Sequence, residues 1–309
     1  MSVPAIHLDA LTKYYGAVVG VEGLSLEVGQ GEVFGFLGAN GAGKTTTIRM
    51  LLDLLRPSSG SASVLGFDTR RETLEVRRRV GYLPGEMPIY PDLTGAAYLR
   101  FLSAVGRLPV SRARLEWLFR RFDVSDLDLK RPMRDYSHGM KRKLGIIQAL
   151  MTEAPVLVLD EPTSGLDPLM IEAFVETIDE IAQAGRTTVF LSSHILSEVD
   201  RMCQRIALIR SGTLVAVQTL AELRSAAPRR VTITFGRPVC SAPAVPCTVV
   251  VREPQRWVLD VNGPIGPLIA SLGPLPVNDV DIAPFTVEET ILRLMASDSV
   301  ARAPAEVQA

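Results

Sequence analysis

The stretch Gly38-Ala39-Asn40-Gly41-Ala42-Gly43-Lys44-Thr45 decides the fold. It fits the pattern GxxxxGK[ST], and its surroundings supply the context the pattern demands. A β-like run, Glu32-Val33-Phe34-Gly35-Phe36-Leu37, precedes it. A helical pattern over residues 44–55 follows, with Ile48, Leu51, Leu52 and Leu55 on one face. Glycines let consecutive backbone N–H groups turn inward as an anion nest, and the helix N-terminus adds its positive end. Gly38, Asn40, Gly41, Ala42, Gly43, Lys44, Thr45 and Thr46 are expected to surround nucleotide phosphates. Lys44 is expected to reach the β- and γ-phosphates, and the Thr45 hydroxyl to coordinate Mg²⁺. Pro57-Ser58-Ser59-Gly60 then stops the helix.

Downstream, the solid apolar run Val156-Leu157-Val158-Leu159 reads as a buried parallel strand. It delivers Asp160 and Glu161 to the strand's C-terminal end, where open α/β sheets bind ligands. Asp160 is a candidate partner for Mg²⁺ through water, because that ion keeps much of its hydration. Glu161 is placed to orient or deprotonate an attacking water. Paired acids at a strand end could merely cap a turn, but the glycine loop makes catalysis the better reading. A helix over 169–184 and a strand over 187–191 continue a β–α–β rhythm, while 88–149 reads as mostly helical.

Composition narrows the classes. The 309 residues carry a formal charge of −1, which does not suggest a nucleic-acid-coating protein but leaves a local basic face open, and 6% aromatic residues give little support for a base-stacking platform. Cys203, Cys240 and Cys247 have no metal-ligand or CxxC spacing and read as free thiols in a reducing cytosol. The N-terminus lacks a signal-peptide pattern. Residues 261–278 and 238–251 are uncharged but broken by prolines, so no membrane span is expected. Past Arg224 the sequence becomes proline-rich, with β-like runs and a closing helix over 287–296, and a domain boundary is expected near residue 222.

Companion motifs specify more. Asp160-Glu161-Pro162-Thr163-Ser164-Gly165-Leu166-Asp167 resembles the Walker B and D-loop string of ABC ATPases, and Ser192-Ser193-His194 resembles their switch histidine. Tyr136-Ser137-His138-Gly139-Met140 stands where that family has its LSGGQ signature, and Tyr15 matches its adenine-stacking aromatic. The resemblance covers residues 5–222. It implies an α/β P-loop ABC ATPase domain over 1–222, comprising a RecA-like core, an antiparallel β subdomain and a helical subdomain at 87–150. A small α+β accessory domain with a disordered tail is expected over 223–309. It further implies that His194 bonds the γ-phosphate and the attacking water. Ser137 and the Gly139 backbone would contact the γ-phosphate held by a second ATP-binding subunit, either a copy or a relative. In three places the chain departs from the family. His138 replaces a signature glycine and Met140 its glutamine. Gly85 stands where a metal-contacting glutamine is expected, with Glu86 as its candidate replacement. Ala39 replaces a common proline.

The string Tyr82-Leu83-Pro84-Gly85-Glu86, the signature variant, and Phe285-Thr286-Val287-Glu288-Glu289-Thr290-Ile291-Leu292 near the end resemble the daunorubicin- and bacitracin-resistance exporter branch. This implies an ATP-hydrolysing motor at the cytoplasmic face of the membrane, peripheral and paired with a separate transmembrane permease that expels drugs, lipids or polysaccharides. Residues 86–100 would face that permease. Alternatives are an importer motor or a soluble ABC ATPase on ribosomes or DNA. A single cassette, and a gap of roughly ninety residues without sustained heptads, argue against the soluble types.

Overall fold

The computed structural model describes residues 3–88, 90–106, 110–225, 227–239 and 246–300, with backbone alone for 295–300. Cys240 and the tail after residue 300 lie outside the described residues. The chain forms two compact units, Met1–Gln218 and Thr219–Ala309.

In the first unit, side-chain periodicity separates two kinds of sheet. Strands β1 (Ile6–Tyr15) and β2 (Val18–Val28) pair antiparallel. Leu24, Leu26 and Val28 are buried while Ser25 and Glu27 are exposed, the alternation of a sheet with one face on a core. Strand β3 (Val33–Leu37), by contrast, is buried along its whole length. Helix α1 (Lys44–Leu51) follows the glycine loop. It ends earlier than residue 55 because Asp53 turns left-handed (φ 51°), and the N–H groups of Leu54 and Leu55 both fold back onto the Arg49 carbonyl. Strands β4 (Ser59–Val64) and β5 (Phe67–Asp68) complete an antiparallel sheet of order β2-β1-β4-β5.

The chain then runs through α2 (Thr73–Arg78), β6 (Val80–Leu83), α3 (Gly95–Gly106), α4 (Arg112–Arg121), α5 (Asp126–Lys130), α6 (His138–Leu150) and β7 (Val156–Asp160). Next come α7 (Pro168–Ala184), β8 (Thr188–Ser193), α8 (Leu196–Met202), β9 (Arg205–Arg210) and β10 (Thr213–Thr219). The second sheet has the order β10-β9-β3-β8-β7-β6, and its pairs from β9 to β6 are parallel. Strand β8 therefore separates β3 from β7. Phe34 and Phe36 of β3 pack on Phe190 of β8, with ring centroids 5.9 and 5.4 Å apart.

The second unit holds α9 (Leu220–Ser225), β11 (Arg229–Phe235), β12 (Thr248–Glu253), β13 (Arg256–Val261), α10 (Gly266–Leu272), β14 (Val277–Pro284) and α11 (Val287–Val300). Its antiparallel sheet runs β12-β13-β11-β14, around a core of Val231, Ile233, Trp257 and Leu268. Among the described residues no helix is long and apolar enough to cross a membrane.

Candidate active site

Three neighbouring strand ends build the site. β3 runs into the glycine loop, β8 ends at Ser193 just before His194, and β7 ends at Asp160. Backbone crowding fixes the loop residues. A Cβ at Gly38 would sit 2.5 Å from the Ile209 carbonyl, and Gly43 caps α1 with φ 111°, where a Cβ would meet the Gly20 carbonyl at 2.7 Å. Both positions exclude a side chain.

Lys44 is buried, and its Nζ donates to the carbonyls of Gly38 (2.7 Å) and Ala39 (3.2 Å). The same ammonium lies 3.2 Å from Glu161 Oε1, and His194 Nδ1 lies 3.3 Å from that oxygen. One carboxylate oxygen is thus held between a cation and an imidazole. Glu161 has φ 49°, an uncommon conformation for a residue with a side chain. Its N–H bonds both the Ser192 carbonyl (3.2 Å) and Ser192 Oγ (3.1 Å).

Asp160 is fully buried. Its Oδ2 accepts from the Thr45 hydroxyl at 2.8 Å and its Oδ1 from the Ser192 hydroxyl at 2.6 Å. A hydroxyl and a carboxylate this close form a hard oxygen pair at the foot of an anion nest. Among the described residues no group of three or more His, Cys, Asp or Glu could hold a metal. The pair suits a cation such as Mg²⁺ that keeps its waters and takes further oxygens from phosphates.

A cleft of about 310 Å³ opens above these groups. Tyr15, Asn40, Gly41, Gly43, Lys44, Thr45, Thr46 and Glu161 line it, with Tyr15 48% exposed. Ala42 lies beneath, its N–H on the Ala39 carbonyl and its carbonyl on the Gly212 N–H. Ser137 and Gly139 do not line the cleft. Ser137 caps α6 by accepting from the Met140 N–H, and Gly139 lies against the Gly165 carbonyl. Glu86 is exposed and is not among the cleft residues, whereas a Cβ at Gly85 would come 3.1 Å from Asp160 Oδ2.

Residues 21–164 match the family described as ABC transporter. The chain is 39% identical over 227 residues to the daunorubicin resistance ATP-binding protein DrrA3 of Streptomyces coeruleorubidus, covering 73% of this chain and 71% of that protein. The chain belongs to the ABC transporter family. It is 38% identical over 207 residues to the bacitracin transport ATP-binding protein BcrA of Bacillus licheniformis, covering 66% of each. A solved ATP binding subunit of an ABC transporter superposes with a TM-score of 0.65 at 32% identity, covering 72% of this chain and 92% of that one. This ABC protein therefore has the ABC ATPase fold, and it binds and hydrolyses ATP.

Two residues that the motifs did not single out are central to the ABC site. Ser192 anchors both acids, and its only sequence signal was its place two residues before the histidine. Arg142 fans onto the backbone around Asp160 and Glu161. In the sequence it is the middle of the basic run Lys141-Arg142-Lys143.

Proposed function

We propose that this chain is the motor subunit of a membrane exporter, working at the cytoplasmic face of the membrane through a separate permease. The observation that carries the chemistry is the Glu161 carboxylate, poised between Lys44 and His194 at the mouth of the phosphate loop. Tyr15 stacks on the adenine, and the loop from Gly38 to Thr46 holds the phosphates. Thr45 and Asp160 would hold Mg²⁺, which supplies neutralisation of phosphate charge when bound. Glu86, exposed beside Gly85, is the acid available to replace the missing glutamine.

Glu161 orients a water in line with the γ-phosphorus and accepts its proton as the new P–O bond forms. The bond from the γ-phosphorus to the β–γ bridging oxygen breaks, and ADP and phosphate leave. Lys44 carries charge that builds on the β- and γ-oxygens, and His194 bonds the γ-phosphate and the water. Ser137 and Gly139 lie away from the cleft of their own chain, so they serve the site of a second subunit. A two-fold pair, either of identical chains or of relatives, completes both sites at once. The cassette spans 1–222 with its helical part at 87–150, and 223–309 is an accessory domain.

The relatives that carry the exporter reading are the daunorubicin resistance and bacitracin transport ATP-binding proteins. Cargo of the drug, lipid or polysaccharide class is selected by the permease. A groove of about 370 Å³ between Leu52, Tyr82, Leu102, Val105 and Met151 supplies an apolar seat for it. Tyr90 and Phe101, their rings tilted at 55° with centroids 6.0 Å apart and both exposed, stand on the neighbouring surface.

Size-exclusion chromatography of Glu161→Gln protein tests the mechanism. ATP should convert it to a dimer that retains nucleotide, while Lys44→Ala protein stays monomeric. A Glu161→Gln protein that hydrolyses ATP at the wild-type rate would remove Glu161 from its role.

A further inference from the structure

Arg142 lies one turn into α6, the helix that begins at the signature, and it is 2% exposed. Its guanidinium meets five backbone carbonyls. Nε donates to Pro162 (3.0 Å), and Nη1 to Pro84 (2.7 Å) and Gly85 (3.2 Å). Nη2 donates to Asp160 (2.6 Å) and to Glu161. A guanidinium has five N–H groups in a rigid planar fork, so every donor is spent on the main chain of two segments. Burial pushes its pKa down to about 10, which leaves it charged at neutral pH.

Those two segments are the ones the chemistry depends on. The first is the turn after β7 that carries Glu161 with φ 49°. Its N–H is held by Ser192, and its own carbonyl and both flanking ones are held by Arg142. The second is the loop after β6, where Gly85 stands in place of the expected glutamine, close against Asp160. No glutamine side chain at position 85 can link this loop to the metal end of the site. The arginine makes a link from the other side, through the loop's carbonyls.

We propose that Arg142 is a positioning residue for hydrolysis, fixing the backbone of Glu161 and tying it to the loop after β6 and to the signature helix. The inference rests on the reading that Glu161 activates the attacking water. Movement of α6 or of the loop then reorients the Glu161 carboxylate through one buried side chain.

Arg142→Lys keeps the charge but has three tetrahedrally arranged donors for five carbonyls. Arg142→Gln removes the buried charge and serves where the lysine variant is too unstable to purify. For either variant, kcat for ATP should fall roughly 10- to 100-fold, the range expected for a displaced reacting group. KM and fluorescent ATP-analogue binding should stay within about twofold, because Arg142 touches no cleft residue except through the Glu161 carbonyl. The double variant with Glu161→Gln isolates the mechanism. If Arg142 works through Glu161, the second substitution changes the residual rate of Glu161→Gln by less than about twofold. An equal loss in both backgrounds, or a kcat near wild type in the single variant, overturns the proposal. Failure of the Glu161 reading itself would appear separately, as near-normal hydrolysis by Glu161→Gln alone.

Discussion

Ser192→Ala tests whether the buried acid at the end of β7 is held as the structure indicates. The Ser192 hydroxyl donates to Asp160 Oδ1 at 2.6 Å inside a fully buried site and accepts from the Glu161 N–H at 3.1 Å. A hydrogen bond to a charged group contributes about 1.5–3 kcal/mol, and the alanine also leaves a buried lone pair unmet. The Glu161 N–H keeps the Ser192 carbonyl, so its loss is partial. We therefore expect about 2 kcal/mol of destabilisation. For the unit Met1–Gln218 this corresponds to a melting point lower by roughly 4–8 °C. Scanning calorimetry of the full chain, following the transition of the larger unit, measures it. Ser193→Ala is the control. Its hydroxyl meets only neutral groups, accepting from the Ile195 N–H at 2.9 Å and donating to the Ile195 carbonyl at 3.4 Å, and its loss should cost about 1 kcal/mol. A Ser192→Ala melting point within about 1 °C of wild type, or no lower than that of Ser193→Ala, would refute the reasoning.

Other predictions follow from local geometry. Gly38→Ala drives a Cβ to 2.5 Å from the Ile209 carbonyl and 2.9 Å from Ala42 Cβ, so overpacking of about 1–3 kcal/mol should weaken ATP-analogue binding; unchanged affinity would contradict the packing. Val105→Asp places a charge on the apolar groove and should abolish permease co-purification while ATP hydrolysis by the isolated subunit stays within about twofold of wild type. In the second unit, N–H donation from Thr286 to Glu289 at the start of α11 holds the Glu289 carboxyl below its usual range. A carboxylate pKa that is lower in the folded state stabilises above its unfolded value, and the effect is lost as pH falls through the folded one. The stability gap between wild type and Glu289→Gln should therefore be full at neutral pH and close in acid, as read by urea titration; a gap independent of pH would count against the cap.

How far the sequence could be read depended on whether the interacting residues are contiguous. The glycine loop and the acids after β7 are local strings, and their flanking hydrophobic runs announced strand and helix, so the core of the site was legible. Arg142 was not, because its acceptors lie 18 to 58 residues away and a basic triplet gives no hint of which member turns inward. The uncharged stretch 261–278 was read as too broken by prolines to span a membrane, and the helix it does hold, α10, is seven residues long. Pro267 lies in the first helical turn, where its missing N–H costs nothing, so a residue read as a breaker is an initiator. Strand β14 went unread because its Asn-Asp-Val-Asp composition disfavours strands. It lies at the edge of its sheet, where charged side chains and a terminal Pro284 are tolerated.

The most direct test of the exporter assignment is a pull-down from native membranes with tagged Glu161→Gln protein and ATP, in which the closed pair is held. A multi-span membrane protein should be recovered, and lost when Lys44→Ala is added. Recovery of ribosomes or DNA-repair proteins with no membrane partner would contradict the exporter assignment, and would leave an ATPase whose work lies elsewhere.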